Sequence, residues 1–261
     1  MTRSPFAAFS ALALAAVLLA LAPGCRSPAP LRVGFTPDYP PLCMMVLDDS
    51  GGDVGGIEAD LAFALARELS CPVVPVLLKL DEQIPALLDN QTDIAMAGLT
   101  VTPARSSLVT FCPPYMKNPL VALARSDEAA SFRSQADIDA VLAVGVPAGS
   151  SAESFARRHF PRATVFPVTK RKDVPSLLAA SRFRIYIDDY AAVHDIAARN
   201  EATVAVLPYA LHPQFLAWAV APDNRELLDA ASAALRKWRA NGFLEKTIRA
   251  YLPDAPFDLL P

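Results

Sequence analysis

Apolar residues between Leu31 and Tyr251 follow two patterns that alternate along the chain. Short continuous apolar runs predict buried strands, and longer segments with an apolar residue at every third or fourth position predict amphipathic helices. The predicted strands are Leu31–Phe35, Cys43–Leu47, Val73–Leu78, Ile94–Ala97, Leu120–Ala124, Val144–Val146, Thr164–Val168, Arg184–Ile187, Ala202–Leu207 and Phe215–Val220. The predicted helices are Glu58–Leu69, Asp81–Asp89, Gln135–Val141, Gly149–Arg158, Lys172–Ala180, Ala191–Arg199, Leu227–Asn241 and Leu244–Tyr251. This alternation predicts an α/β protein with mainly parallel sheets.

The alternation begins again after Tyr115, which favours two similar lobes over one continuous sheet. In the first half, the run Val73–Leu78 predicts a strand buried on both faces. Asp81 is in position to cap the next helix, whose Leu87 and Leu88 are expected to face inward.

The stretch Asp93–Arg105 joins a predicted strand to a predicted helix. Gly98 ends the strand where a backbone without a Cβ allows a close approach, and Thr102-Pro103 has the N-cap and first-turn residues of a helix. Arg105 follows in the first turn, where its guanidinium can bind a carboxylate through two parallel hydrogen bonds. The stretch therefore predicts a carboxylate site, although an ordinary strand–turn–helix joint with a surface arginine has the same pattern.

The N-terminus has the pattern of an export signal. Arg3 precedes the apolar run Phe6–Leu21, and small residues lead to Cys25. The end of this segment resembles a bacterial lipobox, so residues 1–25 are predicted to be a signal peptide with Cys25 as the lipidated residue. The alternative is ordinary cleavage with Cys25 incidental. Arg26–Pro30 is predicted to be a tether.

Composition narrows the possible functions. The 261 residues carry a net charge of −3 and no block of like charge, so we expect no nucleic-acid partner. The densest basic cluster, Lys170–Lys172, is expected to be a solvated loop. Cys43, Cys71 and Cys112 could form one disulfide and one buried thiol, or remain three thiols. No cysteine or histidine spacing indicates a metal site, and we expect no cofactor.

Six ordered segments together resemble one known family. They are LRVGFTPDYPP, GIEADLAFALARELS, IPALLDNQTDIAMAGLTVTPARSSLVTF followed by PPY, VGVPAGSSAESF, IYIDDYAAV and LRKWRANGFLEK. The chain from Leu31 to Leu252 resembles the extracellular solute-binding proteins of family 3, the polar amino-acid receptors of ABC importers. The resemblance implies a type II-like periplasmic-binding-protein fold, with two α/β lobes, two crossing strands and a cleft. Lobe 1 would comprise residues 31–117 and 214–261, and lobe 2 residues 118–213.

The resemblance also implies roles for individual residues in the cleft. Arg105 would pair with the ligand α-carboxylate, helped by Thr100, by the backbone of Ala97 and Gly98, and by Ser151 from the second lobe. Asp189 would accept the α-ammonium, and Tyr39 would cover the ligand side chain. Simpler roles remain open for three of them: Asp189 and Ser151 could cap helices, and Tyr39 could be a turn aromatic. Asp188 is a rival for the ammonium.

The resemblance implies capture of an amino acid or similar small carboxylate for the membrane subunits of an ABC importer, by a monomer. Thr36 in the ligand loop is neutral, Leu42 replaces an aromatic residue, and no acid is available to pair with a cationic side chain, which favours a neutral or apolar ligand. One alternative is a periplasmic dehydratase of a prephenate-like acid, for which Glu58 or Asp60 could be proposed as the general acid. Another is a sensing domain that signals to a separate membrane partner.

Overall fold

The computed structural model describes residues 29–46, 53–255, 258 and 260–261. The predicted signal peptide with Cys25, most of the predicted tether and the turn at 48–52 lie outside these residues. Within the described ranges, no helix has the length and apolar character needed to span a bilayer. Cys43, Cys71 and Cys112 are free thiols.

Fifteen strands lie within the described residues. They are β1 Leu31–Phe35, β2 Asp38–Tyr39, β3 Cys43–Val46, β4 Asp53–Gly55, β5 Val73–Leu77, β6 Ile94–Ala95, β7 Thr110–Phe111, β8 Met116–Lys117, β9 Leu120–Arg125, β10 Ala143–Pro147, β11 Thr164–Val168, β12 Ile185–Asp189, β13 Val204–His212, β14 Phe215–Leu216 and β15 Ala219–Val220. The α-helices of the same ranges are α1 Ile57–Glu68, α2 Gln83–Leu88, α3 Pro103–Ser106, α4 Ser126–Ala129, α5 Gln135–Asp139, α6 Ser151–His159, α7 Val174–Ala179, α8 Tyr190–Ala198, α9 Arg225–Ala240 and α10 Phe243–Tyr251. Short 3₁₀ turns at Leu80–Glu82 and Arg171–Asp173 precede α2 and α7.

Two five-stranded sheets form the centres of two lobes. The first lobe contains the sheet β5-β1-β6-β15-β7, and the second contains the sheet β11-β10-β12-β9-β13. In each sheet three neighbouring strands are parallel: β5, β1 and β6 in the first, and β11, β10 and β12 in the second. The carboxyl ends of these parallel strands lead into loops and helix starts that face the space between the lobes.

The chain passes between the lobes after β8 and returns at β14. These two short strands pair antiparallel, with Lys117 opposite Phe215 and Met116 opposite Leu216. The predicted two-lobed fold with two crossing strands is therefore confirmed. The lobe boundaries inferred from the resemblance stay a prediction, although both sheets draw their strands from the expected parts of the chain.

Several local predictions about strands and helices were wrong. The sheets are mixed, because β15 runs antiparallel to β6 and β9 runs antiparallel to β12. The strand β5 lies at a sheet edge, where Val74 is 42% and Leu77 47% exposed. Asp81 does not cap a helix but lies inside a 3₁₀ turn, and Leu88 is 49% exposed because it ends α2 on its solvent side.

Candidate ligand-binding site

The joint between β6 and α3 has the predicted local structure. Thr102 Oγ1 accepts a hydrogen bond from the Arg105 backbone N–H at 3.2 Å, and Pro103 occupies the first helical position. The N-cap prediction is therefore confirmed, although α3 extends only from Pro103 to Ser106. The short helix directs the Arg105 side chain back to the preceding loop, where its Nη1 donates to the Thr100 carbonyl at 3.0 Å.

The Arg105 guanidinium is a half-buried cation. Burial lowers its pKa to about 10, because removal from water disfavours the charged form. Within the described part of the chain, its one hydrogen-bond acceptor is the neutral Thr100 carbonyl, and no carboxylate contributes to its pKa. A half-buried guanidinium with one neutral acceptor has further donors available for an external anion.

Gly98 allows a very close approach between the joint and Tyr39. Its φ is +63°, and a Cβ at this position would lie 2.4 Å from Tyr39 Cε1 and 2.8 Å from Leu42 Cδ1. Ala97 beside it is buried. The Gly98 N–H donates to Glu58 Oε1 at 2.8 Å, so in this conformation that donor is engaged inside the lobe.

Glu58 is completely buried beneath the joint and braces it. Its carboxylate accepts hydrogen bonds from Gly98 N–H, from Tyr115 Oη at 2.6 Å and from Trp218 Nε1 at 2.8 Å. Burial raises its pKa to about 6, and the three donors counteract part of that rise. Because donors from inside the lobe occupy both of its oxygens, Glu58 does not face the cleft. The Asp60 carboxylate accepts a hydrogen bond from Tyr251 Oη at the surface.

Asp189 is a buried carboxylate whose charge has no cationic partner within the described residues. It ends β12 and stands at the N-cap position of α8, yet its side chain makes no capping hydrogen bond. Oδ2 accepts from the Tyr39 hydroxyl, and Oδ1 is buried with no hydrogen-bond partner. Burial raises the pKa of this carboxyl to about 8.

Asp188, the neighbouring acid, is already fully engaged. It accepts from Arg171 Nε at 2.7 Å, from Tyr186 Oη at 2.9 Å and from the Asp189 backbone N–H at 2.8 Å. Its charge is compensated by the Arg171 guanidinium in a buried ion pair. Of the two adjacent acids, Asp189 is therefore the one available to an added cation.

Ser151 connects the two lobes on the other side of the cleft. Its Oγ lies 3.2 Å from Thr100 Oγ1 and 3.1 Å from Gln214 Oε1, and Thr100 Oγ1 lies 3.3 Å from the same amide oxygen. The capping role belongs to Ser150, whose hydroxyl accepts from the Glu153 N–H at 3.1 Å. Gln214 is buried at the return crossing, and no motif in the sequence had pointed to it.

Arg171 contradicts the expectation of a solvated basic loop. Lys170 and Lys172 are exposed, but Arg171 between them is buried and extends across to the first lobe. Its Nη1 donates to the Asp38 backbone carbonyl at 3.0 Å, and its Cζ lies 4.0 Å from the centre of the Tyr39 ring. Tyr39 is itself buried, and its contacts with Arg171 and Asp189 make it an interlobe residue.

A cavity of about 790 Å³ lies beside Asp38 and Arg171, between the lobes. One wall comes from the first lobe, through the loop at Thr36 and the segment around Leu80. The other wall comes from the second lobe, through Pro147, Val168 and their neighbours. The two lobes also touch at its border, where Gly149 lies against the Asp81 side chain.

Two α/β lobes joined by paired strands around a cleft define the class of two-lobed periplasmic binding proteins. Residues 31–254 match the model of the bacterial extracellular solute-binding proteins, family 3. The chain therefore belongs to this family, and its role is solute binding.

Some relatives resemble this chain over most of its length, and another resembles it over about half. It is 25% identical to ABC transporter arginine-binding protein 1 of Escherichia coli (strain K12) over 246 residues, covering 93% of this chain and 98% of that protein. A solved ancestral amino-acid-binding protein, described as a precursor of cyclohexadienyl dehydratase, is 28% identical with a TM-score of 0.76, covering 85% of this chain and 94% of its own. Cyclohexadienyl dehydratase of Pseudomonas aeruginosa is 29% identical over 137 residues, or 52% of this chain and 50% of that enzyme.

The raised pKa of Asp189 leads to a prediction about pH. This carboxyl ordinarily titrates near 3.8 but has a pKa of about 8 in the folded chain, so between these values only the folded state holds the proton. The free energy of unfolding of the ligand-free chain should then fall as pH rises, by up to about 1.4 kcal/mol per pH unit for this group. Thermal melts across this window measure the slope.

Glu58 also makes the free energy of unfolding fall as pH rises, but only up to its own pKa of about 6. The interval from there to about 8 therefore isolates Asp189, and the control is Asp189→Asn, which should flatten the slope in that interval. An unchanged slope in the variant would show that Asp189 does not retain its proton in the folded chain.

Proposed function

We propose that this chain is an extracytoplasmic receptor that captures an amino acid in the interlobe cleft and delivers it to an ABC importer. The observation that carries the proposal is that the first lobe contributes the half-buried Arg105 guanidinium and the second lobe the buried Asp189 carboxyl group. Arg105 has no carboxylate partner among the described residues, and Asp189 has no cationic one. A zwitterionic ligand supplies both missing partners at once. Burying either charge without a partner would be costly.

Each predicted site residue has a role in this proposal. Arg105 binds the α-carboxylate through two parallel hydrogen bonds, and the Thr100 and Ser151 hydroxyls donate to the same group once they release Gln214. Asp189 accepts the α-ammonium in place of the Tyr39 hydroxyl, and Tyr39 then covers the ligand. Ala97 and Gly98 form the floor, with Gly98 keeping the approach open.

A ligand held in this way contacts both lobes, so it stabilises the closed arrangement over an open one. Its ammonium also lowers the pKa of Asp189, so binding below about pH 8 releases a proton. Relatives named for arginine binding support an amino-acid ligand and delivery to an ABC transporter.

We also propose that residues 1–25 direct export and that Cys25 carries a lipid anchor. The mature chain would then be a monomer attached to the membrane surface by this anchor. The tether from Arg26 to Pro30 then separates the anchor from the first strand of the lobe. Globomycin-sensitive processing in cells, lost in Cys25→Ser, would support this anchor, and unchanged processing in that variant would contradict it.

Catalysis is the weaker proposal. The similarity to a dehydratase covers half of that enzyme, and Glu58 and Asp60, the acids that a dehydratase could use as its general acid, do not face the cleft. Glu58 is enclosed by three donors, and the Asp60 carboxylate contacts Tyr251 at the surface. A general acid must reach the leaving group, so we expect this chain to bind without turnover.

A thermal-shift screen of the mature, unlipidated chain tests the proposal. The ligands are the amino acids, small dicarboxylates and prephenate, with the amine and the carboxylic acid related to any hit as controls. A ligand at a hundredfold excess over its Kd should stabilise the native state by about 2.7 kcal/mol. Stabilisation by an amino acid but by neither control supports the paired charges. If no amino acid raises the melting temperature and prephenate is consumed, the receptor proposal is overturned.

A further inference from the structure

Arg171 occupies a position beside the ligand site that no motif indicated. It leaves the second lobe at the start of α7, forms a buried ion pair with Asp188 and bonds the Asp38 carbonyl in the first lobe. Its backbone N–H donates to the Asp38 carboxylate at 3.0 Å. The guanidinium group is therefore held by an acid of its own lobe and by a backbone carbonyl of the other lobe.

This placement puts a resident cation on Tyr39. The guanidinium Cζ lies 4.0 Å from the ring centre, well inside the range of a cation–π contact. The ring also lies directly against Gly98. A ligand with a cationic side chain would have to displace Arg171 from the ring or accept a like charge beside it. Displacing Arg171 would leave Asp188 buried without its counter-ion, which is costly.

The adjoining cavity offers no compensating buried acid. Its acidic lining residues are Asp38, Asp81 and Glu82, and these are half-buried or exposed. Glu82 is paired with Lys79, and the Asp38 carboxylate accepts from Arg171. The same lining includes the exposed Lys79, Lys170 and Lys172, so charges of both signs lie at the rim and neither sign selects a charged side chain.

Much of the cavity wall is formed by apolar side chains. Val168 and Pro147 of the second lobe are buried, and they face Leu78, Leu80 and Pro37 of the first lobe across the cavity. Apolar walls favour a ligand group that loses little hydration when it is buried.

We infer that the cleft takes an α-amino acid with an uncharged side chain, and that Arg171 is a specificity-determining residue that excludes cationic side chains. The inference rests on the proposed function and assigns the substrate class to the same site. Arg171 acts through its stacking on Tyr39 and its pairing with Asp188, and it leaves the zwitterion to Arg105 and Asp189.

Isothermal titration of the wild-type mature chain with L-leucine, L-glutamine, L-arginine and L-glutamate tests the class directly. We expect one of the two uncharged amino acids to bind at least about tenfold more tightly than L-arginine and L-glutamate. Tighter binding of L-arginine or L-glutamate would overturn the inference and leave the proposed function standing. Absence of binding by every amino acid would overturn both.

The role of Arg171 is tested with Arg171→Met/Asp188→Asn, because the second change removes the acid that would otherwise be left unpaired. We expect the ratio of L-glutamine to L-arginine affinity to fall at least about tenfold in this variant. The matched control is Arg182→Met, which removes an exposed arginine from the Phe166 ring and should leave that ratio unchanged. An unchanged ratio in the double variant would overturn the role of Arg171. If the double variant does not fold, the wild-type titration still decides the substrate class.

Discussion

Arg105→Ala is expected to weaken binding of the amino-acid ligand at least about 100-fold. Removing one partner of a buried charge pair commonly costs about 2–5 kcal/mol, and 2.7 kcal/mol corresponds to a factor of about 100 in Kd. In the bound state the loss leaves the ligand carboxylate buried without its cation. Titration of the hit from the thermal-shift screen, wild type against variant, measures the effect.

The fold should survive this substitution. Among the described residues the side chain makes one hydrogen bond, to the Thr100 carbonyl, and the α3 N-cap depends on the backbone N–H, which alanine retains. We therefore expect the melting temperature of the ligand-free variant to change little. Arg162→Ala, at an exposed arginine before β11, is the matched control and should bind as wild type does. Retained affinity in Arg105→Ala would remove Arg105 from the site.

Features that depend on a few neighbouring residues could be predicted from the sequence. The cap at Thr102, the proline after it and the positive φ of Gly98 in the loop after β6 are local properties of the backbone, and each is present in the structure. The alternation of strands and helices was predictable for the same reason, since each element shows its periodicity within its own residues.

Strand direction and position in a sheet depend on distant residues and were less predictable. The run Val73–Leu77 has the apolar composition of a central strand, but it pairs on only one side and lies at an edge. The antiparallel β15 returns from the second lobe, so its direction depends on the path of the chain through both crossings. Composition alone carries no information about either property.

The buried charges show the same limit in the site. Arg171 is one of three consecutive basic residues, and nothing local distinguishes the one that turns inward. Its burial depends on Asp188 and on Asp38 of the other lobe. The Gly98 N–H likewise could not be predicted to be engaged, because its acceptor, Glu58, comes from a helix earlier in the chain.

Asp189→Asn is expected to separate amino acids from simple carboxylic acids. Asparagine keeps an acceptor oxygen for the Tyr39 hydroxyl but removes the negative charge that the α-ammonium needs. We expect the affinity for the amino-acid ligand to fall at least about 30-fold, since about 2 kcal/mol is the lower end for one partner of a buried pair. The corresponding acid without the amino group should lose no more than about threefold.

Titration above pH 8, where the wild-type carboxyl is ionised, gives the cleanest comparison. Asp195→Asn makes the same change of charge on α8, at the surface ion pair with Arg199, and should leave both affinities unchanged. The ligand-free Asp189→Asn chain should melt no lower than wild type, because burial disfavours the charge that it removes. A weaker affinity that is the same for both ligands would move the ammonium site away from Asp189. A loss confined to the amino acid would mean that the two lobes hold opposite ends of one zwitterion.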